Sequence, residues 1–343
     1  MSDITFQEVV TAYYDCRKNK RNTKQQLEFE FQLEENLWKL YEELKEETYK
    51  PDSHIFFIIT HPKPREVWAA NFRDRIVHHI LYNRTEYIEQ TYVPTTYACL
   101  KNKGNLICAK DIQKTFRKLW KEKDDYLFLH TDIANFFVSL DKNIILEKIR
   151  RLVDNETTLK LLELFIFQNP TQNYYYKGRK ELKNLILERK SLFHKDTGLP
   201  IGNLTSQMFA NLYLADFDWF CYNEITPHYF RYMDDLLFVI PKTSGIYNTI
   251  NQINNYLQTI NLQLNSSKTK HNKIEHGVNF VGYFVRPFSI YIRNCTKYRA
   301  KRAIEFSSIN SYYGMFRHIN CFNLRKSIAK RNNLTMYKYE KLI

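Results

Sequence analysis

Leu33, Leu37, Leu40 and Leu44 recur at three- and four-residue spacing among Glu and Lys. That period puts them on one face and predicts a helix over 25–49, which Pro51 stops. The apolar stretch 54–60 reads as a strand. Residues 73–89 predict a helix with Ile76, Ile80 and Tyr87 on one side. A strand is expected over 126–132, a helix over 142–152 and a polar connection over 182–191. Residues 204–223 predict a helix with a long apolar face. Two short strands, 229–231 and 235–240, flank a tight turn, and a helix follows over 246–260. Residues 278–285 read as a strand with a partner at 291–293, and the final segment as basic helices. The order is an α+β pattern, in which sequence-distant strands form one small sheet.

Composition narrows the class. The chain has 343 residues, 44% of them hydrophobic, which is enough for a real core. Lys and Arg number 51 against 37 Asp and Glu, a net charge of +14 that points to a polyanionic partner such as nucleic acid. Most of the excess lies in 286–343, where 13 Lys or Arg face only Glu305 and Glu340. Such a tail reads as a binding surface. None of the six cysteines forms a C-x-x-C pair, so zinc is not expected and the thiols read as reduced. Asp3 and Glu8 stand where a signal peptide would be basic, and the longest apolar runs are far short of a membrane span. A cytoplasmic protein with no membrane partner is expected.

The sharpest chemical signal is Tyr232-Met233-Asp234-Asp235, between two apolar strands. A hairpin there would project adjacent carboxylates from rigid backbone. Like charges so close raise each other's pKa, and a divalent cation removes that cost. The plain alternative is an acidic surface turn, since Asp favours turns. A second acid, Asp132, ends the strand 126–132 and shifts the balance. Three carboxylates at one sheet end suit a two-metal site that clamps the attacking and leaving oxygens of a phosphoryl transfer, and Mg²⁺ fits such ligands. Asp132 could equally cap a helix.

At these residues the chain resembles a reverse transcriptase. The strand ending in Asp132 is similar to the family's first catalytic motif, and Tyr232–Asp235 to its YxDD box, about a hundred residues later. Further blocks follow in family order. Residues 63–79, with Pro64, Arg65, Trp68, Asn71, Asp74 and Arg75, resemble the first fingers block of bacterial reverse transcriptases, and 96–104 the second. Residues 264–269 resemble a palm segment with a lysine, Lys268, near the triphosphate. Residues 279–283 resemble a primer-grip hairpin and 311–318 a thumb motif. The block from Gly198 to Gln207 has Ile201 where most of the family has glutamine and Gln207 where it has proline. Together with 190–193, that resembles the reverse transcriptases of diversity-generating retroelements.

The resemblance implies a right-hand polymerase, α+β, with a small antiparallel palm sheet. Its parts would be an N-terminal helical extension (1–60), fingers (61–125), palm (126–285, with a connecting insertion near 168–197) and basic thumb (286–343). It implies that Asp132, Asp234 and Asp235 are catalytic. Two Mg²⁺ ions, with Mn²⁺ as a substitute, would sit on Asp132, the Ile133 carbonyl, Asp234 and, less directly, Asp235. Phe137, five residues past Asp132, would clash with a ribose 2′-OH, although one ring of Phe136-Phe137 belongs to the core. Ile201 and Gly202 would lie at the nascent base pair, where an apolar side chain loses a polar term against wrong pairs; simple packing is the plain alternative. Arg65, Lys101 and Lys103 would meet the triphosphate, ahead of Arg73 and Arg75. Leu100 departs from the arginine usual after Tyr-Ala-Cys. Lys268 would act as general acid on the leaving pyrophosphate. Gln207, Tyr232, Met233, Gly282, Tyr283, Arg299, Arg302 and Arg317 would face the template–primer. Implied partners are template RNA, cDNA, dNTPs and a small basic oligomeric accessory protein. Rival readings are an antiphage defence or other bacterial reverse transcriptase using a non-coding RNA, and a silent RNA-binding scaffold, against which the retained aspartates count.

Overall fold

The computed structural model describes residues 2–18, 23–60, 64–122, 125–187, 194–302, 306–319 and 321–331. Among them run β1 (His54–Ile59), β2 (Arg65–Ala69), β3 (Tyr126–Asp132), β4 (Tyr174–Tyr176), β5 (Tyr229–Tyr232), β6 (Asp235–Pro241), β7 (Lys270–Lys273), β8 (Val278–Phe280), β9 (Tyr283–Arg286) and β10 (Ser289–Ile292). They form three small sheets, ordered β2-β1-β4, β5-β6-β3-β7 and β10-β9-β8. Only β1–β4 is a parallel pair. The α+β class stands, but one small sheet has become three. No described helix is long and apolar enough to cross a membrane.

The chain divides into two compact units. The first gathers Met1–Pro94, Ile133–Phe220 and Asn254–Gln263. Its opening helix, Phe6–Arg17, starts with a capping box between Thr5 and Glu8. The Arg84 guanidinium ties that helix to Phe72–Thr85 through Glu8 (2.7 Å) and Asp3 (2.9 Å). Helix Leu204–Tyr213 is buried nearly all round, its polar Thr205, Ser206 and Asn211 included. In the sheet of this unit Phe56 stacks on Trp68, centroids 4.2 Å apart, with Tyr174 edge-on and Tyr176 tilted against Phe56.

The second unit holds Thr95–Asp132, Cys221–Ile253 and the residues from Leu264 onward. Helix Asn105–Lys121 turns Cys108, Ile112, Phe116 and Leu119 inward at helical spacing. They meet Phe128, Leu237, Val239 and Phe280 in one core. The four-stranded sheet is antiparallel throughout, with Asp132 opposite Asp235 and Tyr232 opposite Asp235.

Several expected elements differ. The helix over 25–49 is two, Lys24–Phe31 and Leu33–Lys45, because Gln32 leaves the helical region (φ −123°, ψ 54°). The helix over 204–223 ends at Tyr213, resumes as Ala215–Phe220 and closes in a wide turn, Cys221–Ile225. The connection over 182–191 contains helix Lys180–Leu187, while 188–191 lie outside the described residues. The strand over 278–285 is the hairpin β8-β9, since Val281 (φ 43°) and Gly282 (φ 91°) turn the chain through left-handed backbone. Its partner starts earlier than expected, at Ser289.

Candidate active site

The hairpin β5-β6 places the adjacent acids. Tyr232 pairs with Asp235, so Met233 and Asp234 alone make the turn. Two-residue hairpin turns need positive φ to match strand twist, and Met233 supplies it at 60°. A non-glycine there is strained, which is a feature of functional turns. The strain is held by Arg231, a fully buried arginine whose guanidinium donates to the Met233 carbonyl at 3.2 Å. Its backbone N–H donates to the Thr95 carbonyl and its own carbonyl accepts from the Tyr97 N–H, 3.0 Å each. Sequence reasoning passed over Arg231 as an ordinary strand residue. A long polar side chain inside an apolar strand was the available signal.

Asp132 ends β3 beside Asp235 and is 5% exposed. Lys268 Nζ lies 2.6 Å from its Oδ2, and Asn265 Nδ2 3.4 Å from its Oδ1. The Asn265 N–H donates to the Asp132 carbonyl at 2.7 Å, fixing the turn that carries Lys268. Thr131 and Thr269 share a hydroxyl hydrogen bond of 2.8 Å on the same connection. His130 Nε2 stands 3.7 Å from Asp235 Oδ1, and its ring meets Phe280 edge-on. Burial, then the charges of Asp132 and Asp235, push the Asp234 carboxyl up to about 6, while Lys268 opposes them.

The residues fit a divalent cation. The donors are hard oxygens, and the repulsion that raises Asp234 is what a cation removes. Among the described residues no group of three or more His, Cys, Asp or Glu is arranged to hold a metal. Mg²⁺ held by one or two carboxylates and substrate phosphates asks for no such group.

The other expected site residues fall into two sets. In the second unit, Lys103 Nζ lies over the Tyr97 ring at 4.8 Å, and Lys101 is exposed on the same loop. Burial lowers the Lys103 pKa. Just past that loop, the side chain of Asn105, first residue of helix Asn105–Lys121, donates to the Val281 carbonyl, next to Gly282. A Cβ on Gly282 would come 3.2 Å from Met315. Tyr283 is 3% exposed, and β9 turns its side chain into the core. Tyr232 is half-buried against that core. Arg299 and Arg302 are exposed on helix Asn294–Arg302, Arg302 lying over the Tyr298 ring at 4.1 Å. Arg317 ends helix Phe306–Arg317, and its side chain lies outside the described residues.

In the first unit, backbone bonds gather the rest. The Leu199 N–H donates to the Phe137 carbonyl at 2.8 Å, and the Trp68 N–H to the Ile201 carbonyl at 2.9 Å, so Ile201 lies along β2, the strand that begins with exposed Arg65. Gly202 (φ 125°) passes so close to β2 that a Cβ would meet Val67 at 2.9 Å. Phe136 is core at 3% exposed, and Phe137 is half-buried. Ile133 is buried and Gln207 half-buried. Arg73 is engaged by Glu43 and Arg75 by the Ala70 carbonyl. Residues 63 and 190–193, parts of expected motifs, lie outside the described residues.

Residues 60–285 match the family model described as reverse transcriptase (RNA-dependent DNA polymerase). A comparison with curated proteins found no match. Among solved structures, apo telomerase from Candida Tropicalis is similar with a TM-score of 0.51 and 12% identity, covering 91% of this chain and 68% of that one. The same telomerase truncated from its C-terminal domain gives 0.49 and 14%, covering 71% and 56%. The chain thus spans little more than half the length of that truncated telomerase. At such identities the likeness to apo telomerase is one of fold.

Proposed function

The chain belongs to the reverse transcriptase family of RNA-dependent DNA polymerases, and we propose that it copies an RNA template into cDNA by two-metal nucleotidyl transfer. One observation carries the proposal: Asp132, Asp234 and Asp235 converge at one sheet end, with Asp234 raised to about 6. Asp132 and Asp234, with the Ile133 carbonyl, would hold two Mg²⁺ or Mn²⁺ ions, and Asp235 would support them. Bound ions would supply Lewis-acid stabilisation of the attacking and leaving oxygens. The primer 3′-oxygen forms an ester bond to the α-phosphorus, the α–β anhydride breaks, and pyrophosphate leaves. Lys268, 2.6 Å from Asp132, would give a proton to that leaving group.

Phe137 would exclude a ribose 2′-OH, Ile201 and Gly202 would border the nascent pair, and Arg65, Lys101 and Lys103 would bind the triphosphate. In this reading 1–60 is an extension, 61–125 fingers, 126–285 palm and 286–343 thumb. The apolar Ile201 supports an error-prone enzyme of a diversity-generating retroelement. It would work in the cytoplasm on a template RNA with a small basic accessory protein.

The test is extension of a primed RNA template with Mg²⁺ and four dNTPs, sequencing the product, with Asp234→Asn alongside. Loss of about 10³-fold or more in the variant is expected, since a metal ligand and its charge are removed. Errors concentrated opposite template adenines support the retroelement context. An ordinary error spectrum moves the chain to a defence or other bacterial enzyme. Equal extension by both proteins overturns the assignment of the carboxylates.

A further inference from the structure

Beside the carboxylates lies a cavity of about 960 Å³ to which the proposed reaction assigns no occupant. Its floor is the β3 face that carries Asp132. Alternation puts Phe128 and His130 on that face, and the register sets Lys270 opposite His130. Its walls are the turn Ser266–Lys268, the start of β8 and the start of helix Asn294–Arg302. All of these belong to the second unit.

Three features suit an anion. Lys268, Lys270 and Arg293 line the cavity and no Asp or Glu does, although Asp132 is 2.6 Å from Lys268. Arg293 Nε is buried without a hydrogen-bond partner, a desolvated donor that an anionic oxygen would satisfy. The nine-residue helix Asn294–Arg302 opens on the cavity at Asn294 and Cys295, so its unpaired N–H groups and dipole favour negative charge there. The side-chain amide of Asn279 adds a neutral donor.

We propose that this cavity binds a small phosphoanion, and that its occupant in turnover is the pyrophosphate that nucleotidyl transfer releases. The occupant rests on the polymerase reading above; the cavity adds no chemical step. Lys268 stands between the two places, paired with Asp132 yet lining the cavity. A departing phosphate can therefore pass from the carboxylate end to Arg293 and Lys270 without losing a cation.

The test is titration calorimetry of the full chain with inorganic pyrophosphate, without nucleic acid. Saturable binding is expected, weakened about tenfold in Arg293→Ala, as fits loss of a charge-assisted hydrogen bond. Asp234→Asn, which removes the polymerase chemistry, should bind pyrophosphate at least as well as the wild type. If Arg293→Ala lowers the melting temperature, Lys270→Gln, at an exposed strand-edge position, carries the same comparison. Extension by the wild type with no pyrophosphate binding sensitive to either variant overturns the proposal and leaves the polymerase reading standing. Arg293-dependent binding of a single-stranded DNA octamer, with none of pyrophosphate, also overturns it, by reassigning the cavity to a strand backbone.

Discussion

The sheets β2-β1-β4 and β5-β6-β3-β7 put opposite chemistry into the same geometry. In the first, Phe56 lies directly across from Trp68 on one side and Tyr176 on the other, stacked on the first ring and tilted against the second. In the second, Asp132 lies directly across from Asp235, with Asp234 in the adjoining turn. Opposed aromatics stabilise a sheet and opposed like charges destabilise it. The acidic end therefore persists against its own repulsion, strained further by Met233 and braced by Arg231. Stability is spent at the carboxylates and recovered in cores such as the aromatic one.

That contrast can be broken from either side. Trp68→Ala is expected to cost about 3–5 kcal/mol in urea unfolding, the usual penalty for emptying a buried aromatic site. Arg231→Met should cost about 2–3 kcal/mol by removing a buried donor to a turn carbonyl. Because Arg231 acts through the turn, primer extension by that variant should lose kcat with little change in KM for dNTP. Met233→Gly should gain about 0.5–1 kcal/mol, since glycine takes φ 60° without strain, and chemical denaturation would read it. A loss of stability there would mean that the Met233 side chain packs more than its backbone strains.

The sheet that carries the chemistry was legible where its pattern was hydrophobic. β3 has the expected bounds, and β5 and β6 extend the expected strands by one residue each. The three aspartates were found because a strand end and a hairpin carry them, and Lys268 because its segment resembles a family block. β7 was missed because Lys270-His271-Asn272-Lys273 has no apolar face; it is an edge strand held by backbone bonds to β3. β4 was missed because three tyrosines in a row show no alternation, and its parallel partner is over a hundred residues away. The amphipathic helix Asn105–Lys121 carried a clear signal that went unnamed. Arg231, His130 and Asn265 act through contacts that only the folded register creates.

The central claim is that the carboxylate end costs the fold stability that a cation returns. Asp234 has a folded pKa near 6, above its unfolded value of 3.8. The protonated group therefore favours the fold below about pH 4, and that advantage is lost as pH rises through 6. Thermal and urea unfolding of metal-free wild type and Asp234→Asn, at pH 4 and pH 8, tests this directly. The variant should be more stable by about 1–2 kcal/mol at pH 8 and near equal at pH 4. A variant less stable than the wild type at pH 8 would contradict the account.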